Sequence, residues 1–503
     1  MASDAVGLEL VSKVVGYKIT KGNFGNSTPN LPQSVAIIGE ANTANQGTLS
    51  TTPVQITSAQ QAGNLYGFGS PIYLSARILF PNSGSGIGGI PVFVYPQAAA
   101  GSSTAKTLTI APVGTATANV THTLIVAGRD GLDGVSYDFT INVGDVPAGI
   151  TVKMQDALNN VLGSPFIGTS SSTVTTATAK WTGLTSQDLS IAIDTNGNSA
   201  GITYSVTQTV AGAGTPSIAA SLALFENNWH TIVLNTYGAV TSIMNALEAF
   251  NGIPDPANPT GRYSGIIMKP FFAFTGSTLA DPSTITDTRQ DNVTIVICPA
   301  PGSAGLPFEA AANCTLLQAV QAQNNPHLDI SGMSYPDMPT PVSIGVMSNY
   351  VNRDAIVKKG SSTVELVGGR YRVCDFVTTY HPDGEVPPQF RYVRSLVQDF
   401  NVRYGYYLLE IINVVDHAIA SNTTVVTADK VVKPMMWIQI LRNYASDLAL
   451  RGIIVEPAFM QDSLVVNIGT TNPDRFETFF RYKRSGFARI SSTTAEAGFN
   501  FNN

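Results

Sequence analysis

The run Ser34-Val-Ala-Ile-Ile-Gly39 has the composition of a strand that is buried on both faces. A short continuous apolar run is typical of a strand in a parallel sheet, whereas a strand with one solvated face alternates apolar and polar residues. Further along the chain, Ser58 can cap a helix over residues 59–66 and Pro71 can open a second helix. The next predicted strand is Pro91-Val-Phe-Val-Tyr95. The order strand, helix, strand predicts an α/β layer.

Residues 101–215 differ in character from the segments on either side. Short runs rich in Thr, Val and Ile are separated by turn signals such as Arg129-Asp-Gly-Leu-Asp-Gly134, and a single helix is predicted over residues 151–162. This pattern predicts an inserted, mostly antiparallel β-rich domain. Gly, Ala and Ser are concentrated in residues 98–104 and 211–216, so these two ends are predicted to be paired linkers.

Strands and helices alternate again after residue 216. One strand is predicted over residues 265–273 and another over residues 342–346. Towards the C-terminus, the apolar periodicity predicts a long helix over residues 388–420 and a second helix over residues 431–451. The fold class that follows is α/β, with mixed α+β character, in a multidomain chain.

The two ends of the chain do not have the composition of domains. The first 20 residues contain one loosely alternating strand, and the last residues are polar and extended in character. A lone strand is not stable without partners, so the N-terminal strand is predicted to pair with a sheet of this chain or of another. Both ends are predicted to be arms rather than domains. The predicted parts are an N-terminal arm and linker (1–32), the first part of an α/β domain (33–100), the β-rich insert (101–215), the second part of the α/β domain (216–339), a C-terminal domain (340–487) and a C-terminal arm (488–503).

Charge is scarce in this sequence and unevenly distributed. The 503 residues are 44% hydrophobic and only 12% charged, with a net charge of −6, whereas a typical chain is about 25% charged. The hydrophobic content excludes a disordered chain, and the negative charge argues against nucleic-acid binding. Residues 340–503 contain 17 of the 28 Lys and Arg residues. A surface as poor in charge as the remainder is expected to be covered in part by other subunits.

The sequence contains no recognisable catalytic or metal-binding pattern. The five His residues form no H-x-H or H-x-x-x-H pair, and no G-x-x-x-x-G-K-[ST] segment that could hold nucleotide phosphates occurs. Asp194-x-Asn196-x-Asn198 begins like a calcium loop, but Ser199 and Ser205 stand where that loop needs Gly and Glu, so a β-turn is favoured. The three Cys residues are interpreted as small buried hydrophobes. We therefore expect no enzyme activity, no cofactor and no metal.

Targeting and membrane signals are not visible in the sequence. The first residues, Met1-Ala-Ser-Asp4, include neither a basic region nor an apolar core. No apolar run approaches the length of about 18 residues that a membrane span requires. We therefore expect no secretory signal and no membrane insertion.

Short motifs in a consistent order over most of the chain resemble those of a known family. In chain order they are SVAIIGEA (34–41), AxxLYGFGS (62–70), PVFVY (91–95), the segment 229–237, RYSG (262–265), FAFTG (272–276), DNVTIV (291–296), PAP (299–301), RYVR (391–394), VVT (425–427) and GIIVE (452–456). By these motifs the chain resembles the contractile tail sheath proteins of Mu-like myophages, which are related to the sheaths of R-type pyocins and of type VI secretion. The β-rich insert is similar to the variable outer domain of that family. The helix after Arg403 departs from the basic, acidic-ended helix of the family.

The resemblance implies a structural role in a bacteriophage virion. Sheath subunits form six-fold rings that stack helically around a tail tube, and contraction between two helical packings drives the tube through the host envelope. The implied partners are further copies of this chain, the tail tube protein, and baseplate and tail-terminator or neck proteins, without direct nucleic-acid contact. The implied location is the phage tail, assembled in the host cytoplasm. No cofactor is implied, because the extended sheath is metastable.

The resemblance also implies which residues make contacts between subunits. Sheath arms are strands donated to sheets of neighbouring copies, a mode of binding known as β-augmentation. The candidate arm residues are Leu8, Leu10, Val15, Tyr17, Ile19, Ile490, Phe499 and Phe501. The C-terminal domain of sheaths faces the tube, which makes basic residues there candidates for tube contact. These are Arg391, Arg394, Arg442 and Arg451. For each of them a solvated or locally paired helix face is the alternative interpretation.

Two other functions are compatible with parts of the sequence. The Thr- and Ser-rich insert would suit a carbohydrate-binding or adhesin-type virion surface protein, which needs exposed aromatic platforms. The aromatic residues of the insert are Tyr137, Phe139, Phe166, Trp181 and Tyr204. An enzyme built on the α/β parts is the third hypothesis, and the lack of a paired catalytic motif argues against it.

Overall fold

The computed structural model describes residues 28–82, 84–255, 257–386 and 388–497. The chain divides into two compact units, of which the larger contains residues 30–402 and 484–503 and the smaller contains residues 1–29 and 403–483. The predicted boundary at residue 340 does not coincide with this division, since residues 340–402 belong to the larger unit. No helix among the described residues is long and apolar enough to span a bilayer.

A six-stranded sheet lies at the centre of the larger unit. Its strands, in spatial order, are Ile295–Pro299, Phe272–Ser277, Ile232–Asn235, Val35–Glu40, Val92–Gln97 and Val54–Ile56. All neighbours are parallel except the last strand, which runs antiparallel to Val92–Gln97. Every residue of Val35–Glu40 is buried, as its uninterrupted apolar composition predicted. This strand pairs on one side with Val92–Gln97, which precedes the insert in sequence, and on the other side with Ile232–Asn235, which follows the insert.

Helices cover both faces of the central sheet. One face of the sheet carries Ala36, Val233 and Ala273 and packs against the helix Thr241–Asn251. The opposite face lies against the helix Pro307–Asn324. The approach on that side is so close that a Cβ atom at Gly276 would lie 1.6 Å from the carbonyl oxygen of Pro307. Only glycine can occupy a strand position that touches a backbone in this way.

Several of the remaining helices of the larger unit begin at the residues that the sequence indicates. The hydroxyl oxygens of Ser58 and Ser70 accept hydrogen bonds from the backbone N–H groups of Gln61 and Tyr73, both at 3.1 Å, so both serines cap helices. The other α-helices are Ala59–Tyr66, Pro71–Leu79, Pro147–Asn160, Ala219–Ala223, Ser283–Thr286 and Tyr350–Lys358, and the 3₁₀ helices are Thr43–Thr48, Leu184–Asp188, Gly261–Tyr263 and Gly345–Ser348. An antiparallel pair, Thr363–Val367 and Arg370–Asp375, precedes the long helix Val393–Asn413.

The insert is an antiparallel β domain with one helix, as predicted. Its four-stranded sheet has the spatial order Thr203–Val210, Thr107–Val113, Thr175–Ala179, Phe166–Ser170. Its three-stranded sheet has the order Ile191–Asp194, Val120–Val126, Asp138–Ile141. The strands Gly131–Leu132 and Val135–Ser136 form a small separate hairpin. The predicted linker pair is also present, because Thr104 and Ala213 exchange backbone hydrogen bonds of 2.9 and 3.2 Å. The insert's core is continuous with residues of the α/β part, including Tyr73 and Phe308.

The smaller unit is built from helices and short strands. Its α-helices are the last part of Val393–Asn413, then Pro434–Leu450 and Pro457–Ser463. Its strands include the parallel pair Ala418–Ile419 and Val431–Val432, the strand Ile454–Val455, and the antiparallel hairpin formed by Val465–Ile468 and Phe476–Phe479. Trp437 is fully buried there, and its indole N–H donates to the Thr478 hydroxyl at 3.1 Å. A last short strand, Lys483–Arg484, precedes the C-terminal arm.

Three predicted elements differ from the structure for local backbone reasons. The helix predicted over residues 388–420 is shorter, Val393–Asn413, and Asp416 beyond its end has a positive φ. The strand predicted over residues 342–346 is absent, because Gly345 has a φ of 58° and begins a 3₁₀ helix. The strand predicted over residues 265–273 begins only at Phe272, after Met268 at a φ of 39°. A left-handed residue cannot continue a strand or an α-helix.

Candidate functional site: the C-terminal arm and an open hairpin

The C-terminal arm is an extended segment at the end of the larger unit. Residues 491–497 form no helix or strand and are exposed, and Ile490 is 86% exposed. Within the described part of the chain, these residues make no backbone hydrogen bond. Their donors and acceptors are therefore free to pair with a sheet. The other candidate arm residues, Leu8 to Ile19 at one end and Phe499 and Phe501 at the other, lie outside the described residues.

In the structure the arm begins at Ser485, after the strand Lys483–Arg484 and three residues before the predicted start, and Arg484 fixes this point. Its Nε donates to Asp399 Oδ1 at 2.7 Å and its Nη2 to Asp399 Oδ2 at 2.6 Å. Its Nη1 donates to the carbonyl oxygen of Gln389 at 2.9 Å. A two-point pair between guanidinium and carboxylate sets orientation as well as distance. The arm therefore starts in a defined direction beside the helix Val393–Asn413.

Arg394 holds the next three residues of the arm. It is only 6% exposed, and it donates to the carbonyl of Ser485 at 2.9 Å, to the Ser485 hydroxyl at 2.8 Å and to the carbonyl of Gly486 at 3.1 Å. Its guanidinium also lies 5.3 Å from the centre of the Phe487 ring. Burial lowers the pKa of Arg394 from its ordinary value. In this conformation Arg394 serves the chain's own arm and is not available for a surface contact.

Arg489 is the last anchor before the free segment. It forms an ion pair with Asp329, whose side chain is 1% exposed, and its Nη1 lies 3.5 Å from Asp375 Oδ1. The guanidinium lies over the Tyr392 ring at 4.2 Å from its centre, a cation–π contact. Burial lowers the pKa of Arg489 to about 10. Residues 490–497 are all exposed, so Arg489 marks the boundary between the docked and the free part of the arm over the residues that the structure describes.

Arg489→Met is expected to release the root of the arm. Methionine keeps an apolar side chain over Tyr392, but it leaves Asp329 buried without its counter-ion, and breaking a buried pair in this way costs about 3–5 kcal/mol. We expect faster amide hydrogen exchange over residues 485–490. Arg481→Met removes an exposed arginine of the same segment and is the matched control. Equal exchange rates in the two variants would contradict the anchoring role.

The four candidate tube contacts have different surroundings. Arg391 and Arg394 lie in the larger unit, and Arg442 and Arg451 lie in the smaller one. Arg391 is half-buried, and Arg451 is paired with Asp447 at 3.3 Å and with the Thr28 hydroxyl at 2.8 Å. The side chain of Arg442 is exposed. Exposure therefore favours Arg442 over the other three for a contact with another molecule.

The hairpin Val465–Ile468 with Phe476–Phe479 is a two-stranded sheet in the smaller unit. Its Val466 and Thr478 face the unit's interior, whereas Val465 and Phe479, directly opposite each other, are 48% and 54% exposed. Among the described residues, neither strand has a second neighbour. A two-stranded sheet is marginally stable by itself and gains stability when strands are added. The hairpin is therefore a candidate acceptor for an extended arm.

Two of the five histidines and the calcium-like segment have structural roles. His122 lies 2.7 Å from the Tyr204 hydroxyl and 2.9 Å from the Asn198 carbonyl oxygen. His230 lies between the hydroxyls of Ser34 and Tyr95, and burial together with the Arg262 guanidinium lowers its pKa to about 4. The oxygen of Asp194 accepts a hydrogen bond from the Asn196 backbone, which closes a turn. Within the described residues, no group of three potential ligands could hold a metal ion.

The aromatic residues of the insert do not form a platform. Trp181, Tyr137, Phe139 and Phe166 are buried in its core. Tyr204 is half-buried, and its hydroxyl is bonded to His122. All of the insert's aromatic residues are thus used inside the domain, which removes the feature that a carbohydrate-binding surface needs.

Sequence reasoning missed Arg484, Arg489 and their partners Asp329 and Asp399. A local signal was present, because the segment Phe479-Phe-Arg-Tyr-Lys-Arg-Ser-Gly-Phe-Ala-Arg489 interleaves cationic and aromatic residues. Such a pattern is typical of cation–π and ion-pair docking. It does not reveal the partners, which lie 85 and 160 residues away in sequence.

No family model matches this sequence, and no curated protein matches it. Among solved structures, the chain is similar to the crystal structure of a sheath tail protein from Desulfitobacterium hafniense, at 11% identity and a TM-score of 0.45, over 93% of this chain and 100% of that one. It is also similar to the helical sheath of the anti-feeding prophage in its contracted state, at 11% identity and a TM-score of 0.41, over 97% of this chain and 99% of that one. Both are sheath proteins, the class that the sequence resembles.

Proposed function

We propose that this chain is the structural, non-enzymatic subunit of a contractile tail sheath in a bacteriophage virion. The observation that supports this most directly is the anchored C-terminal arm, because residues 491–497 are extended and exposed and have no strand partner within the described chain. The hairpin at 465–479 supports it as well, since no further strand of the described chain pairs with either of its edges. An arm of one copy that adds to a sheet of another would link successive copies by β-augmentation.

The proposed linkage can persist while the copies change their packing. A strand rises about 3.3 Å per residue, so even the described free segment is longer than either four-residue strand of the hairpin. Main-chain hydrogen bonds between the arm and the sheet supply the affinity. The exposed segment after Arg489 lets the angle between the two linked copies change. Subunits joined in this way rearrange as rigid bodies about hinges, which is what contraction of a helical assembly requires.

The finer features of the proposal follow the sequence resemblance. We propose six-fold rings stacked helically around a tail tube, with contraction driving the tube through the host envelope. The proposed partners are further copies of this chain, the tube protein, and baseplate and terminator or neck proteins, and the proposed site of assembly is the host cytoplasm. The N-terminal candidates from Leu8 to Ile19 and the C-terminal candidates Ile490, Phe499 and Phe501 are proposed to be the arm residues.

The proposed tube contact rests on the basic residues that are accessible. Arg442 is exposed on the helix Pro434–Leu450, and Arg391 is half-buried. Arg394 and Arg451 are engaged within their own units. We therefore propose that Arg442 contributes to the tube contact, with Arg391 second. A contact of this kind between exposed charges weakens as ionic strength rises.

Deletion of residues 1–20 is expected to give a folded chain that does not form long sheaths. The deletion removes a candidate donor strand and none of the described core, so the circular dichroism spectrum and the unfolding midpoint should be preserved. Deletion of residues 491–503 should have the same effect from the other end. Negative-stain electron microscopy of the purified chain and the two variants measures the length of the polymers.

The appearance of the polymers separates the proposal from its alternatives. Long tubes for the full chain, with rings or monomers for the deletion variants, are the expected result. Normal tubes from both deletion variants would contradict the arm linkage. A full chain that remains monomeric and binds glycans on an array would support the adhesin hypothesis instead.

A further inference from the structure

The four-stranded sheet of the insert has two outer edges, and only one of them is capped. On the strand Phe166–Ser170, the side chain of Asn159 bonds both backbone groups of the central residue. Its Oδ1 accepts from the Gly168 N–H at 2.8 Å, and its Nδ2 donates to the Gly168 carbonyl at 3.0 Å. These bonds occupy the groups that an added strand would use, so this edge is closed in the middle of the strand.

The opposite edge, Thr203–Val210, has none of the usual protection. All eight of its residues are exposed except Tyr204, which is half-buried. The strand contains no charged residue and no Pro, and in the described chain its backbone pairs only with Thr107–Val113. Its single irregularity lies at the end, between Gln208 and Val210. Edge strands of monomeric proteins are normally short, charged, interrupted by Pro or covered, and this one is longer than average.

We propose that the edge strand Thr203–Val210 is an interaction surface for the same strand of a second copy of this chain, paired antiparallel about a two-fold axis. No repulsion opposes this occupant, because two copies of an uncharged strand meet without like charges facing each other. The odd-numbered positions Thr203, Ser205 and Thr207 all carry hydroxyls. Two-fold antiparallel pairing sets these positions opposite one another, and Thr–Thr and Thr–Ser pairs stabilise antiparallel strands. In a two-fold dimer each contact occurs twice, so a strand that is complementary to itself is sufficient to form a closed dimer.

This contact does not depend on the proposed sheath. The residues concerned belong to the insert, and none of them is part of the C-terminal arm or of the hairpin. Free chains would form a weak dimer through the contact, since one pair of short strands buries little surface. In a polymer, whose subunits all point the same way, a two-fold contact would join the inserts of two separate polymers side by side.

Cysteine cross-linking tests the pairing directly. The variants Ser205→Cys, Val206→Cys and Thr207→Cys place a thiol near the centre of the strand, and the native cysteines are buried or half-buried. Ile167→Cys, exposed on the capped edge strand, is the matched control. Under mild oxidation with copper phenanthroline, one of the three variants should form a disulfide-linked dimer about a hundredfold faster than the control, because pairing raises the effective concentration of the thiols.

A second substitution decides whether the cross-link reports strand pairing. Adding lysine at the adjacent position, as Val206→Lys or Thr207→Lys, should return the rate of the fastest variant to that of Ile167→Cys, since edge lysines prevent strand addition. Circular dichroism of the double variant checks that the insert stays folded. The proposal is overturned if all three cysteine variants react at the control rate, or if the added lysine leaves the fast rate unchanged.

Discussion

Glu309→Ala is expected to be among the most destabilising single substitutions in the larger unit, with a loss of about 3–5 kcal/mol in the free energy of unfolding. The Glu309 side chain is 1% exposed and lies 2.8 Å from Arg129 Nη1. Its second oxygen lies 3.8 Å from Arg77 Nη2. The alanine variant leaves two largely buried guanidiniums with two carboxylates, those of Asp337 and the more distant Asp133, where the native protein has three.

The position of Glu309 adds to the expected effect. Arg129 belongs to the insert, whereas Glu309 lies in the first turn of the helix Pro307–Asn324 of the α/β part. Glu309 also accepts a hydrogen bond from the Leu306 N–H at 3.0 Å, which caps that helix. Burial raises the pKa of Asp337, but the guanidiniums of Arg129 and Arg77 outweigh it and hold that pKa below its ordinary value. One substitution therefore weakens both a helix start and the attachment of the insert.

An exposed ion pair provides the control for Glu309→Ala. Asp354 and Lys358 form a pair at 2.6 Å one helical turn apart, with side chains 44% and 67% exposed. Asp354→Ala should cost about 0–1 kcal/mol, because solvent already screens such a pair. Urea unfolding of both variants at neutral pH measures the difference. Similar unfolding midpoints would show that the buried cluster does not stabilise the fold.

Glu40→Gln is expected to make the chain more stable at alkaline pH and to leave it unchanged at acidic pH. Glu40 ends the central strand Val35–Glu40, is 1% exposed, and accepts a hydrogen bond from the Thr185 hydroxyl of the insert at 3.0 Å. Burial raises the pKa of Glu40 to about 8, against a smaller opposite effect of the Thr185 hydrogen bond. At neutral pH this carboxyl is therefore protonated in the folded chain.

The sign of the pH dependence follows from the raised pKa. Below the ordinary pKa of 4.5 both the folded and the unfolded chain hold the proton, and Glu40 has no effect on the pH dependence. Between that value and about 8 only the unfolded chain releases it, so stability falls as pH rises and levels off above 8. At about 1.4 kcal/mol per unit, the total loss is on the order of 5 kcal/mol.

Glutamine is neutral at every pH and close in shape to the protonated carboxyl, so the variant should lose this pH dependence. Unfolding midpoints of the native chain and of Glu40→Gln, measured from pH 5 to pH 9, should diverge as pH rises. Glu496→Gln, in the exposed arm, removes a carboxyl without burial and is the control. Parallel curves for the native chain and Glu40→Gln would refute the buried neutral carboxyl.

The parts of the structure that the sequence predicted depend on short-range patterns. The buried strand at 35–40, the cap at Ser58, the helix start at Pro71, and the antiparallel insert with paired linkers were all visible as local composition and periodicity. The errors, such as the helix predicted to reach residue 420, arose where a residue takes a left-handed conformation that local composition did not reveal.

The candidate site was predicted only in outline. An extended C-terminal arm follows from the polar, Gly-containing tail, and the structure agrees over the described residues up to 497. The use of Arg394 was not predicted, because its helix position looks like that of any surface arginine until the arm folds back over it. The capped and open edges of the insert were likewise invisible, since a sheet's edges are known only when its strand order is known.

The sequence by itself determined the α/β and β-rich parts, the scarcity of charge before residue 340 and the extended character of the tail, because helix periodicity, strand alternation and turn chemistry act over a few residues. Only the tertiary structure decided that Arg489 pairs with Asp329, that Glu309 joins the insert to the α/β part, and that Thr203–Val210 is an edge. Those relations join residues far apart in sequence. They are set by how the elements pack, which no local pattern records.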